Sequence, residues 1–273
     1  MPLLSPTDIP SKEEMKKALK MAKNPTQVKQ HLKMVVYGKP KRGKTHFIGT
    51  FPKPLIFDFD ADGTGILADR KKFPRFDGKI VTPESWNDIQ LWYWILRTQK
   101  HPFETVVFDT MTTASQLALT EILGEKGVRT KGEKDPYKAE QDDYGRAGRV
   151  LNTWITLFKS LPMHVVFVCH EREDDAPDEA EGEDIVRWLV PDLQRSVRNY
   201  LLGQVSIIGY AYRVSRDNQI SFRMTFDRSG TVAADRYGLL PRVITDPTFE
   251  KIMSYYSQEQ DIEEADNNGD DLD

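Results

Sequence analysis

Two hydrophobic periods alternate along this chain. Short apolar runs that stop at a charge or a glycine predict buried strands. They occur at Val35-Val36, at Pro54–Phe57 before Asp58, at Gly78–Thr82, at Phe103–Asp109 and at Met163–Cys169. Between them lie helical patterns. Glu84–Lys100 carries Trp86, Ile89, Trp92, Tyr93, Ile95 and Leu96 at helical spacing, and Arg146–Leu161 carries Val150, Leu151, Trp154, Ile155 and Phe158. Thr113–Leu123 and Leu193–Leu202 read as helices, Gln204–Val214 with Gln219–Phe226 as a β-hairpin, and Phe249–Tyr256 as a last helix. Alternating strands and helices predict an α/β fold, with a mostly parallel central sheet flanked by helices and a C-terminal β-hairpin extension.

Ahead of the first strand, Ser11 and Glu14 have capping-box spacing for a helix over Lys12–Ala22 that ends near Asn24-Pro25. Its apolar positions Met15, Leu19 and Met21 leave a lysine-rich face. Two readings stay open, a helix packed on its own domain and an arm docked on a neighbouring subunit.

Three polar segments break the pattern. Gly124–Tyr144 predicts a long polar loop with the cations Lys126, Arg129, Lys131, Lys134 and Lys138, and with Tyr137 and Tyr144 as stacking surfaces. Glu171–Asp184 holds nine acidic residues against Arg172 alone. Glu259–Asp273 holds eight acidic residues and no basic one. The net charge of −4 therefore hides a basic body with two acidic segments, and a basic body suits a polyanionic partner. Composition predicts disorder from Ser257 on.

The 273 residues suit one large α/β domain, or one domain with extensions. The single cysteine, Cys169, reads as a buried strand residue, excludes an intrachain disulfide and fits a reducing cytoplasm. The N-terminus lacks a basic-then-apolar leader pattern, and no apolar run approaches the ~20 residues of a membrane span, so no membrane partner is expected. Cys/His clusters with zinc spacing and a G-x-S-x-G elbow are both absent.

The chemistry concentrates where the first strand meets a helix. Gly38-x-x-x-x-Gly43-Lys44-Thr45 has the spacing of a phosphate-binding loop. Its glycines allow backbone angles that turn successive N–H groups toward phosphate oxygens. Lys44 is placed to reach the β- and γ-phosphates, and the Thr45 hydroxyl to hold Mg²⁺. The candidate ATP site is Gly38, Lys39, Pro40, Lys41, Arg42, Gly43, Lys44, Thr45 and His46.

In open parallel sheets, ligands lie beyond the carboxyl ends of strands. The second strand ends in Asp58, Asp60 and Asp62, and Asp60 is chosen as the carboxylate that orients the attacking water. Asp109 ends the strand Phe103–Asp109 and is the candidate Mg²⁺ carboxylate, with Thr110 and Thr112 as supporting polar groups. His170 ends the strand Met163–Cys169 and is placed to sense the γ-phosphate. Arg228 and Arg236 are candidates to reach a neighbouring subunit's phosphates.

This order of parts resembles the RecA core. The segment GKTHFIGTFPKPLIFDFDADG, supported by Val107–Asp109 and Phe167–His170, looks most like the RecA-like ATPases of bacteriophages, the single-strand annealing and recombination proteins of the Sak group. The resemblance covers about Leu32 to Ile244. It implies ATP and Mg²⁺ on Lys44 and Thr45, and Asp109 as the Walker B carboxylate. It places Asp60 where RecA proteins carry a catalytic glutamate, and His170 where RecA has a glutamine coupling the γ-phosphate to DNA. It also sets Gly124–Tyr144 and Glu171–Asp184 at the positions of the two DNA-binding loops.

The chain departs from that pattern at three places. Aspartate replaces glutamate at position 60, the second loop is acidic, and Lys39-Pro40-Lys41-Arg42 replaces small residues. The reading that follows has an N-terminal helical arm over 1–31, an ATPase core over 32–256 and an acidic tail over 257–273. Its expected function is an ATP-dependent single-stranded-DNA-binding ATPase, slow in hydrolysis, that promotes annealing or strand exchange. The expected partners are single-stranded DNA, further copies in an oligomer or filament, and a single-strand-binding or replication protein. The expected location is the cytoplasm, the host's for a phage-encoded chain. The alternatives are a P-loop phosphotransferase acting on a small molecule and a non-hydrolysing, ATP-switched interaction protein.

Overall fold

The computed structural model of the chain describes residues 11–22, 31–61, 63–74, 76–130, 138–175, 187–216 and 219–256, the side chains of 125–130 excepted. Two units separate between His31 and Leu32. The first contains helix α1 (Lys12–Leu19), closed at its start by the expected capping box: Ser11 N–H donates to Glu14 Oε2 at 2.9 Å and Glu14 N–H to Ser11 Oγ at 3.2 Å. The helix is shorter than its pattern predicts. Met21 N–H bonds Ala18 O and Ala22 N–H bonds Leu19 O, so the last turn tightens to i→i+3 bonding and leaves the α-helix before the proline is reached.

The second unit is organised by strands whose alternate residues face two helical layers. In β1 (Lys33–Tyr37), Val35 and Tyr37 belong to one core and Met34 and Val36 to the other. The first core packs α3 (Trp86–Thr98), α4 (Met111–Thr130), α5 (Gln141–Lys159) and α6 (Arg195–Gln204) on one face. The second core packs α2 (Lys44–Ile48), the 3-10 turn Gly63–Ala68 and the last helix α7, residues 249–256, on the other. Burial on both faces explains why these strands read as continuous apolar runs. Cys169 is fully buried in this sheet, as its apolar run implies.

β2 (Pro54–Asp58), β3 (Lys79–Val81), β4 (Thr105–Asp109), β5 (His164–Cys169), β8 (Ile207–Arg216), β9 (Gln219–Thr225) and β11 (Val243–Thr245) complete the sheet with β1, in the order β11-β9-β8-β1-β5-β4-β2-β3. The short β10 (Ala234–Asp235) pairs with β8. All pairings from β8 to β3 are parallel, and β9, β10 and β11 are antiparallel. The predicted hairpin thus extends the sheet directly, since β8 lies against β1 with Tyr37 opposite Tyr210. β5 stands between the strand leading into the phosphate loop and the strand ending in Asp109.

Two predicted loops are partly regular. Residues 124–130 continue α4, because extending a formed helix is easier than starting one, even without an apolar period. Residues 141–144 already belong to α5, whose start is fixed by Asp143 accepting the Glu140 N–H at 2.9 Å. That leaves 131–140 of the predicted polar loop Gly124–Tyr144, of which 138–140 are irregular and 131–137, with Lys131, Lys134 and Tyr137, lie outside the described residues. The acidic segment begins as a strand, β6 (Glu171–Asp175), paired antiparallel with β7 (Arg187–Pro191). Cross-strand hydrogen bonds override its charge, and Asp174 is tied to Arg198 on α6. Residues 176–186 and the acidic tail lie outside the described residues.

Candidate functional site

Four strand ends converge where the phosphate loop leaves β1. The loop has the backbone its glycines permit. Gly43 has φ 86° as it enters α2, and Lys41 adopts the left-handed region with φ 61°. A Cβ on Gly43 would stand 2.6 Å from Phe222 Cγ, and one on Gly38 would strike the Ala211 carbonyl oxygen. The loop is thus held from behind by β8 and β9.

Lys44 is buried, and its ammonium donates to Gly38 O at 2.6 Å and Lys39 O at 2.9 Å. Burial lowers its pKa, and the charge of Asp109 works against that shift. Thr45 Oγ1 donates to Asp109 Oδ2 at 3.3 Å, so the two residues expected to serve one cation already touch. Burial raises the Asp109 carboxyl to about 6; Asp58 and Asp60 add to the shift, and Lys44 and Thr45 oppose it. The peptide bond from Asp109 to Thr110 is cis.

The three aspartates after β2 have different roles. Asp58 is buried opposite Asp109 in the sheet and accepts from Thr64 Oγ1 at 2.5 Å, Asp60 N–H at 3.2 Å and Ala61 N–H at 3.0 Å, which makes it the turn former. Asp60 points the other way. It accepts from Thr113 Oγ1 at 2.6 Å and lies 3.8 Å from His170 Nε2. Asp62 is outside the described residues.

His170 is half-buried; its N–H donates to Thr112 Oγ1 at 3.1 Å, and its Nδ1 is buried without a hydrogen-bond partner. Burial first, then Lys44, hold its pKa below the usual histidine range, so the ring is neutral at pH 7. Of the expected supporting threonines, Thr112 positions His170. Thr110 contacts Thr113 at 3.1 Å, which carries the polar chain on to Asp60.

The remaining candidates spread more widely. His46 is half-buried between Phe73, at 4.8 Å, and Phe222, at 6.0 Å. Pro40 and Lys41 are exposed, Arg42 is half-exposed, and the Lys39 ammonium lies 3.8 Å from Glu171. Arg228 is stacked over the rings of Tyr210 and Tyr212 at 5.6 and 5.3 Å, and Arg236 donates to Val205 O at 3.2 Å. Lys126 and Arg129 fall on the last turns of α4, and Lys138 is exposed ahead of α5. The structure therefore unites Lys44, Thr45, Asp60, Asp109 and His170.

Sequence reasoning missed Phe222, Thr113 and Glu171. Phe222 meets the loop through the register of β8 and β9, which no local pattern encodes. The position of Thr113, four residues after Asp109 at the start of a helix, was the available signal for a partner of Asp60.

The donor set fits a magnesium–nucleotide. A hydroxyl, a carboxylate raised toward neutrality by burial and by its acidic neighbours, and an ammonium resting on loop carbonyls meet at one point. Among the described residues no cluster of three His, Cys, Asp or Glu could hold a metal alone. Thr45 and Asp109 would thus hold Mg²⁺ together with phosphate oxygens, as this ion prefers.

Residues 30–237 match the family model described as an AAA domain. No curated protein matches. Among solved structures, the chain is similar to the flagellar accessory protein FlaH from Methanocaldococcus jannaschii, at 10% identity over 78% of this chain and 84% of that one, with a TM-score of 0.36. It is similar to a KaiC-like protein from Pyrococcus horikoshii OT3, at 11% identity over 71% and 77%, with a TM-score of 0.40. It is also similar to the RadB recombinase, at 11% identity over 78% and 86%, with a TM-score of 0.42. No described helix is long and apolar enough to cross a membrane.

Proposed function

We propose, from the premise that this chain belongs to the AAA domain family, that it is an ATPase that binds single-stranded DNA and promotes annealing or strand exchange, of the kind found in the phage Sak group. One observation carries the hydrolytic part. Asp60, Asp109, His170 and the Lys44–Thr45 pair come from four strand ends and meet at one place.

Each residue has a role that its surroundings support. The loop N–H groups and Lys44 bind and orient the phosphates. Thr45 and Asp109 would hold Mg²⁺, which would supply charge neutralisation on the phosphate oxygens. Asp60, oriented by Thr113, accepts a proton from the attacking water. His170, neutral and fixed through its N–H on Thr112, reads the γ-phosphate. It passes that state to β6, which follows it directly in the chain.

Lys126, Arg129, Lys131, Lys134 and Lys138 supply the phosphate contacts to the strand of DNA. Arg228 or Arg236, both exposed, serves a neighbouring copy's nucleotide in an oligomer or filament.

A second reading has one observation in its favour. A cleft of about 400 Å³ beside Thr112, lined also by Gln116, Tyr144, Arg172 and Gln194, could receive the acceptor of a phosphotransferase.

The test is steady-state ATP hydrolysis with Mg²⁺ at fixed, stated salt, with and without single-stranded DNA. Stimulation by single strands is the expected result. Turnover indifferent to DNA but dependent on a small phosphoacceptor would replace this reading with the phosphotransferase. Binding without turnover would leave an ATP-switched interaction protein.

A further inference from the structure

Glu171 is a carboxylate with more burial than partners. Its side chain is 6% exposed, and Oε1 lies 3.8 Å from the Lys39 ammonium. Oε2 is buried with no hydrogen-bond partner. A desolvated carboxylate oxygen without a donor is unfavourable, so the site has capacity for a further donor from the loop beside it.

The anchor end of this pair is rigid. Burial, followed by the nearby charge of Glu171, pushes the Tyr210 phenol up to about 12. The Tyr210 ring is held by Tyr37 at 5.2 Å, by the stacked Tyr212 at 6.0 Å and by the Arg228 guanidinium above it. Backbone pairing of Glu171 with Pro191 fixes the main chain. Lys39, by contrast, has a side chain 64% exposed. Left to itself it would be a freely rotating, solvated cation.

Position decides what that cation serves. Lys44 rests on the carbonyls of Gly38 and Lys39, so the Lys39 side chain departs from the end of the loop where the group serving the β- and γ-phosphates lies. We propose that Glu171 is a positioning residue that aims Lys39 at the terminal phosphate, so that the loop prefers a nucleoside triphosphate to a diphosphate. The inference rests on the nucleotide-site reading above. It adds a contact with the nucleotide that does not run through His170.

The experiment is calorimetric titration of the full chain, in Mg²⁺, with ADP and with an ATP analogue whose β,γ-bridge is an imido group. Wild type, Lys39→Met, Glu171→Gln and the double variant are compared. Each single change is expected to weaken the triphosphate analogue about fivefold, the scale of one partly screened charge contact, with ADP within about twofold. The double variant is expected to be no weaker than either single one. Additive losses, equal losses for both nucleotides, or an unchanged preference in Lys39→Met would overturn the inference. Lys39→Met changes an exposed side chain, so its result does not depend on Glu171→Gln folding. If wild type binds both nucleotides but hydrolyses none, the ATPase reading fails while the nucleotide preference still decides this one. If wild type binds neither nucleotide, both fall.

Discussion

His170 Nε2 lies 3.8 Å from Asp60 Oδ2, bringing the ends of β5 and β2 face to face across the intervening strand β4. The contact joins the residue expected to sense the nucleotide to the residue expected to orient water. Its strength depends on pH. Burial and Lys44 depress the His170 pKa, and Asp60 partly restores it. The ring is expected to titrate below its ordinary 6.5, and Asp60→Asn is expected to move the midpoint lower still. NMR of the imidazole protons measures both, and a midpoint that rises in Asp60→Asn would show that the contact is not attractive. Because the folded pKa is the lower one, this group costs stability progressively as pH falls below 6.5.

Asp58 and Asp60 should separate stability from catalysis. Asp58→Ala removes a buried acceptor of three hydrogen bonds and is expected to cost about 2–3 kcal/mol in denaturant unfolding. Asp60→Asn is expected to leave the unfolding midpoint nearly unchanged and to reduce kcat by about 100-fold or more. Equal loss of stability in both variants would place Asp60 among the structural residues.

The Asp109 carboxyl is raised from 3.8 to about 6. A raised carboxyl favours folding fully below its unfolded pKa, and that contribution is lost as pH rises through 6. Without nucleotide, Asp109→Asn is therefore expected to stabilise the chain by about 2 kcal/mol at pH 7.5 and by little at pH 4. Thermal melts at the two pH values check this. The same variant is expected to lose Mg²⁺-dependent hydrolysis.

Lys44→Ala removes the ammonium that the loop carbonyls hold in place. ATP binding and hydrolysis are expected to fall by about 100-fold or more. Circular dichroism should show the fold retained. Unchanged ATP affinity would remove the phosphate loop from the site.

Gly43 and Phe222 should be coupled. Gly43→Ala introduces a left-handed alanine and a Cβ 2.6 Å from Phe222 Cγ, together costing about 2–4 kcal/mol. Phe222→Ala in that background is expected to recover the steric part and leave the backbone part. A double variant no more stable than Gly43→Ala would show that Phe222 does not hold the loop.

The phosphate loop, the strand ends at Asp109 and His170, the alternating α/β order and the capping box at Ser11 were open to reading from the chain alone. These are legible because each is local: a glycine spacing, a charge closing an apolar run, a side chain three residues from its partner. The fold settled which of Asp58 and Asp60 forms the turn: two residues apart they would share a face of a continuing strand, and the bend after Asp58, closed by the Asp60 and Ala61 N–H groups on its carboxylate, leaves Asp58 on Thr64 and turns Asp60 toward Thr113 and His170. It also decided that β8 lies against β1, that Phe222 backs Gly43, and that an acidic residue of the predicted second loop is buried beside Lys39. These relations join residues far apart in the chain through strand register, and register is set by the whole sheet and both of its cores.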